Sequence, residues 1–277
     1  MKSKIFLFFV MISVALITAC DEPKQKELGN IYLKFEFNVD GEKVVLDELK
    51  YENKAGNQYM INDIQMIISK IKLIKSDNSE VVFNTDVFVH YFDYAYPGSL
   101  LWKLPKKYDG GIYKNIGFTL GLDETMNTSG RFTNPPISDM FWPEVLGGGY
   151  HYMKLNCKWT DNEAKEAYSH LNFHLGRVPV YEAFMDADSI TDPIGYMDNH
   201  FEIQKEINFE IKENDITFIV SINLNNWFNS PNVIDFSTYR DVSIMQNSTI
   251  QVLAKQNGAN VFDIELQKQD STNVRRL

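Results

Sequence analysis

Ile31-Tyr32-Leu33-Lys34-Phe35-Glu36-Phe37-Asn38-Val39-Asp40-Gly41 decides the fold class. Its apolar residues at 31, 33, 35, 37 and 39 alternate with Tyr32, Lys34, Glu36 and Asn38, the period of a strand with one face in a core. Asp40-Gly41 suits the left-handed backbone of a tight hairpin, so Val44 to Leu46 is expected to return as a partner strand. Ile67, Ser69, Ile71 and Leu73 alternate in the same way before the polar turn Ser76-Asp77-Asn78-Ser79, and Val81 to Phe83 leads away from it. Val87 to Tyr94 is a dense run of β-formers that contains His90 and Asp93. After Gly110-Gly111, Ile116, Phe118, Leu120 and Leu122 share a face. Tyr150 to Trp159, Tyr168 to Leu175, Ile203 to Ile211 and Ile216 to Leu224 complete the strand candidates. One segment reads as helix: Ser248 can cap it, Ile250, Leu253 and Ala254 give its spacing, and Gly258 marks its end. Short strands with turn signals between them predict an all-β chain, a single antiparallel β-sandwich with long loops and one short C-terminal helix.

The totals agree with one globular unit. The 277 residues are 44% hydrophobic and 23% charged, with 19 Phe and 14 Tyr, a β-rich bias. A net charge of −10 argues against nucleic-acid binding, which needs basic surface to displace counterions from phosphates. The long loops run from Asp123 to Glu144 and from Val178 to Asn199, the latter with Asp186, Asp188 and Asp192.

The N-terminus reads as an export signal. Lys2 and Lys4 precede an apolar run from Ile5 to Ile17, too short for the roughly 20 residues that span a bilayer. Ile17-Thr18-Ala19-Cys20 has the form of a lipobox, with cleavage before Cys20 and acylation of its sulfur. Residues 1–19 are therefore expected to be a lipoprotein signal peptide, 20–29 a lipid-anchored tether, and 30–277 the folded domain. The expected location is the cell envelope, on the periplasmic side of the outer membrane or at the cell surface. With Cys20 acylated, Cys157 has no disulfide partner and reads as a small buried hydrophobe.

Met140 to Gly176 concentrates the side chains with chemistry. It holds Met140-Phe141-Trp142, Gly149-Tyr150-His151-Tyr152-Met153-Lys154-Leu155 and Phe173-His174-Leu175-Gly176, with three of the five histidines. Tyr168, His170, Asn172 and His174 point to one side of a strand, while Leu171, Phe173 and Leu175 point to the core. His170 and His174 lie roughly 13 Å apart along the strand, so a metal would need one of them and a histidine from elsewhere. His90, His151 and His200 are the candidates. His151 alternates with Met153, Leu155, Cys157 and Trp159, which reads as a core-facing position. No His-Glu-x-x-His, Gly-x-Ser-x-Gly, phosphate-loop or dinucleotide glycine pattern is present, and no nucleophile with a base partner can be named. The chain is expected not to be an enzyme.

The order of these motifs resembles the MbnP-like family of secreted copper-binding proteins, many of them Bacteroidetes-type lipoproteins. The resemblance runs from about Ile31 to Leu266. It rests on Tyr51 to Tyr59 around Gly56, and on His90-Tyr91-Phe92-Asp93 as a His-x-x-Asp element. Gly111, Tyr113, Phe118, Gly121, Asp123, Asn127 and Gly130 follow in the family's order. Met140-Phe141-Trp142, Gly149-Tyr150, Lys154-Leu155 and Phe173-His174-Leu175-Gly176 match its most specific stretch, and Asn257-Gly258 with Val261-Phe262 its C-terminal pattern. Two positions depart: Pro143-Glu144 replaces the second tryptophan of the motif, and Lys154-Leu155-Asn156-Cys157 stands where the family reads Lys-Leu-Glu-Gly.

The resemblance implies a single copper ion on a β-sandwich, held by two histidines and a tryptophan oxidised to kynurenine. The oxidant it implies is a dihaem partner related to cytochrome c peroxidases. Carried over by position, the ligands are His90, His174 and Trp142, with His170, His151, Asp93 and Met140 as weaker candidates and Cys20 as the lipidation site. The expected function is a cell-envelope lipoprotein that buffers or delivers copper. The alternatives are a surface adhesion or interaction lipoprotein on the same fold, and a calcium-stabilised module using Asp123, Asn127 or the loop from Asp186 to Asp192.

Overall fold

A computed structural model describes residues 27–161, 168–181, 193–240 and 242–268. In chain order its strands are β1 (Ile31–Val39), β2 (Glu42–Lys43), β3 (Tyr51–Glu52), β4 (Gln58–Lys75), β5 (Glu80–Phe83), β6 (His90–Asp93) and β7 (Leu101–Lys103). Then come β8 (Gly111–Leu120), β9 (Met153–Trp159), β10 (Ser169–Leu175), β11 (Val178–Val180), β12 (Gly195–Met197), β13 (Phe201–Ile211), β14 (Ile216–Asn223) and β15 (Phe262–Leu266). Two α-helices, α1 (Asn226–Asn229) and α2 (Ser248–Gly258), lie between the last two strands.

The strands build the predicted all-β sandwich. One sheet runs β15-β14-β1-β2 with β7 also on β1, and the larger runs β10-β9-β4-β8-β13 with β3, β5 and β6 also on β4. Most pairs are antiparallel, but β1 lies parallel to β14 in unbroken register from Ile31↔Ile216 to Asn38↔Asn223. A parallel neighbour needs a long crossover, so no local turn signal could announce this pair. Aromatic pairs join the sheets: Phe35 stacks on Phe92 at 4.2 Å, Phe209 meets Phe218 edge-on at 4.9 Å, and Phe118 meets Phe262 at 5.9 Å. Each fully buried phenylalanine contributes about 2–3 kcal/mol through the apolar area it removes from water.

β4 is the spine that positions the site. Ile67 donates its N–H to the carbonyl of Tyr152, and its own carbonyl accepts from Gly121, so β8 ends along β4 where the approach to β9 begins. An extra residue between Ser69 and Lys72, with Lys70 at φ 51°, reverses which face follows. Ile67 and Ser69 therefore lie on the face opposite Ile71 and Leu73, and the four do not share the single face that their spacing suggests. A second shift, between Ile61 and Asp63, turns Asp63 toward the outer face.

Three local expectations also change. The return strand after Asp40-Gly41 is only the two residues of β2, and Leu46 instead bridges Ile61. The first residues of the Val87 run coil into a 3-10 turn, so β6 starts at His90. α2 is capped by Asn247, whose side chain accepts the N–H of Ile250, and Ser248 is already inside the helix.

Candidate metal centre

The stretch from Met140 to His151 is a clip closed by backbone bonds. Phe141 bridges Tyr150, Trp142 donates its N–H to the Gly149 carbonyl, and His151 donates its N–H to the Met140 carbonyl. Gly149 at the closing corner has φ 87°, and a Cβ there would come 2.2 Å from Oδ1 of Asn127. Trp142 is fully buried and its Nε1–H donates to the Leu146 carbonyl at 3.1 Å. Its six-membered ring lies against Gly176, where a Cβ would sit 2.5 Å from Cε3. The glycine that ends Phe173-His174-Leu175-Gly176 is thus the floor of the tryptophan pocket.

Trp142, His151 and His174 form a contiguous ring cluster. The Trp142 and His151 ring centroids are 4.7 Å apart, and those of His151 and His174 are 5.2 Å apart, both pairs edge to face. His151 Nδ1 lies 3.1 Å from the Met140 carbonyl, which can only accept, so Nδ1 carries the hydrogen and Nε2 the lone pair. His174 Nε2 lies 2.7 Å from Oδ1 of Asn156, while its Nδ1 is buried without a hydrogen-bond partner.

Both rings are neutral. Burial first, then His174 and Lys154 nearby, lower the His151 pKa to about 3, and burial with Lys154 lowers that of His174 to about 4. Burial likewise lowers the pKa of Lys154, whose Nζ donates to the Asp139 carbonyl at 2.8 Å. An ion about 2 Å from one nitrogen of each ring would stand about 3 Å from each centroid, so centroids 5.2 Å apart are within reach of one ion.

The other candidates fall elsewhere. His90 pairs with Ile68 and shares the core face of β6 with Phe92. Its ring is stacked on Trp102 at 4.7 Å and lies 5.7 Å from Phe35, and its Nε2 is 2.8 Å from the Ser99 carbonyl. His174 projects from the opposite face of the same sheet, so the carried-over His90–His174 pairing is not formed. The physical reason is strand parity: a residue that alternates with Tyr91 and keeps company with Phe92 faces inward.

His151 corrects the second expectation. β9 starts only at Met153, so the alternation of Met153, Leu155, Cys157 and Trp159 does not extend back to it, and its ring turns to His174 rather than to the core. His170 shares the outward face of β10 but is exposed. Asp93 accepts from Tyr91 and Gln65 through Oδ2 and from the Ala95 N–H through Oδ1. Met140 serves the site through its carbonyl.

Calcium has no support at the two positions described. Asp123 is occupied by Thr125, Met126 and Asn84, and Asn127 by Tyr150 and Tyr152. Asp186, Asp188, Asp192 and Cys20 lie outside the described residues. Among the described residues no three His, Cys, Asp or Glu side chains converge as a metal cage. The cluster thus offers two imidazoles, and the indole N–H of Trp142 adds no lone pair to them.

Asn156 and Asp63 were not anticipated. Asn156 Nδ2 donates to Asp63 Oδ2 at 3.3 Å, which places a carboxylate behind the amide that meets His174. Burial and then Asp93 raise the pKa of that carboxyl. The sequence held half the signal, since Asn156 sits opposite Asn172 on the face of His174, but Asp63 reaches that face only through the bulge in β4.

No curated protein matches the chain. Among solved structures, MbnP from Methylosinus trichosporium is similar at 13% identity over 87% of this chain and 100% of that one, with a TM-score of 0.48. The profile of the MbnP family matches residues 28–249, well over half of the sequence, and the chain belongs to the MbnP family.

Proposed function

We propose that the chain is a cell-envelope lipoprotein, anchored through acylated Cys20, that holds one copper ion for buffering or delivery and has no catalytic activity of its own. The observation that carries this reading is the His151–His174 pair, edge to face at 5.2 Å with a buried, unpartnered His174 Nδ1. Imidazole suits copper, and both rings stay neutral, so binding displaces no proton near neutral pH. Two neutral ligands beside the Lys154 ammonium favour the monovalent ion, which brings less charge into the pocket.

Trp142 would supply the third donor after oxidation. A four-electron oxidation, balanced by reduction of two equivalents of peroxide to four waters at the partner, lets two other waters supply the oxygens added across the indole C2–C3 bond. Hydrolysis of the N-formyl product then releases formate, leaving an aryl amine and a ketone. Because Trp142 is buried, a dihaem partner would act by withdrawing electrons past the exposed rim of Phe141 and Val145. Mass spectrometry of the native protein tests this step, and an intact indole removes it.

Copper titration of the soluble body against His151→Ala, His174→Ala and His90→Ala tests the site. Equal binding by all of them sinks it and leaves an interaction lipoprotein as the reading. Release of a Cys20→Ser chain from the membrane fraction tests the anchor.

A further inference from the structure

We infer that Asn156, held by Asp63, is a positioning residue that fixes His174 as its Nε2–H tautomer and so makes Nδ1 the metal-binding nitrogen. The inference rests on the copper reading for its purpose and on hydrogen-bond chemistry for its substance. A carboxylate only accepts, so the Asn156 group facing Asp63 Oδ2 is the Nδ2 donor. The amide is planar, and its other end, Oδ1, therefore faces His174 and can only accept. The ring nitrogen 2.7 Å away must carry the hydrogen, which leaves the lone pair on Nδ1. That atom is buried without a partner, an arrangement that costs free energy unless something occupies it.

The two imidazoles are thereby set by different means. His151 is held by a backbone carbonyl, which no substitution alters, and presents Nε2. His174 is held by a side-chain relay across β10, β9 and β4 and presents Nδ1. Hydrogen bonds of this kind orient the ring and raise ligand basicity, and their removal from metal sites costs about 10–100-fold in affinity.

The test reads the tautomer directly, by nitrogen-15 NMR of the imidazole rings in the metal-free protein, beside monovalent-copper titration. Wild type is expected to show His174 as Nε2–H. Asn156→Leu is expected to populate the other tautomer and to weaken copper about 10–100-fold. Asp63→Leu, which frees the amide to flip, is expected to give a mixture. Asn156→Asp keeps an acceptor at the same place and is expected to retain the wild-type tautomer. If Asn156→Leu does not fold, Asp63→Leu and Asn156→Asp carry the test. An unchanged tautomer and an affinity within about twofold in Asn156→Leu and Asp63→Leu would overturn the relay while leaving the copper site standing. A tautomer that shifts as expected in a protein that binds no copper would uphold the relay and overturn the copper reading.

Discussion

His90 and the His151–His174 pair occupy opposite faces of one sheet, and burial treats them alike. His90 and His174 both have pKa values lowered to about 4, and His151 to about 3. What differs is the company. His90 is sandwiched with Trp102 and Phe35 and spends Nε2 on the Ser99 carbonyl, as a core residue does. His174 has a second imidazole at its edge and a nitrogen with nothing to bond. Burial alone makes an imidazole neutral. A site also needs convergence and an unsatisfied donor.

The largest expected effect separates the two regions outright. His151→Ala or His174→Ala should lower copper affinity by more than about 100-fold, beyond the range of an orienting residue, while His90→Ala stays within about twofold. A competition titration that found the reverse would break the comparison.

Stability should show the opposite ranking. His90→Ala removes a stacked, hydrogen-bonded ring from the intersheet core and is expected to cost about 2–3 kcal/mol in urea unfolding. His174→Ala should cost less, because an unpartnered buried nitrogen leaves with the ring.

Gly176→Ala places a methyl group 2.5 Å from Trp142 Cε3 and should cost about 1–3 kcal/mol as the indole is pushed aside. A change in Trp142 fluorescence, with His90 ring shifts unaltered, would confine the damage to the site face.

The effect least confined to one face is a pH slope. His90, His151 and His174 bind protons more weakly in the folded chain than in the unfolded one, so their stabilisation is complete above about pH 6.5 and lost as pH falls toward about 4. Each contributes up to about 1.4 kcal/mol per pH unit within that window, and His90→Phe should remove one share. Copper affinity should stay flat down to about pH 5, since the free rings gain protons only near their lowered values. A decline starting near pH 6.5 would mean the pair is not buried as described.

Much of the face assignment was already legible. His174 is set outward by Phe173 and Leu175, and His90 is set inward by Phe92, so strand parity alone separates the two. Positional resemblance to the family paired them nonetheless, because motif order carries no information about which face a residue takes. His151 was misplaced for another reason: the alternation was extended two residues past the point where β9 starts. Asp63 was out of reach, since its face depends on one extra residue in β4 that no periodicity marks.

By itself the sequence determined most of the strands and the sandwich, and it marked the stretch that holds Trp142, His151 and His174, because period-two burial and turn chemistry are local. Only the tertiary structure decided which histidine completes the pair, which nitrogen is left open and what stands behind it. Those depend on the bulges in β4 and on a clip closed by backbone bonds. A bulge moves a side chain from one face to the other without changing the local pattern, and the clip takes His151 out of the alternation that begins with β9.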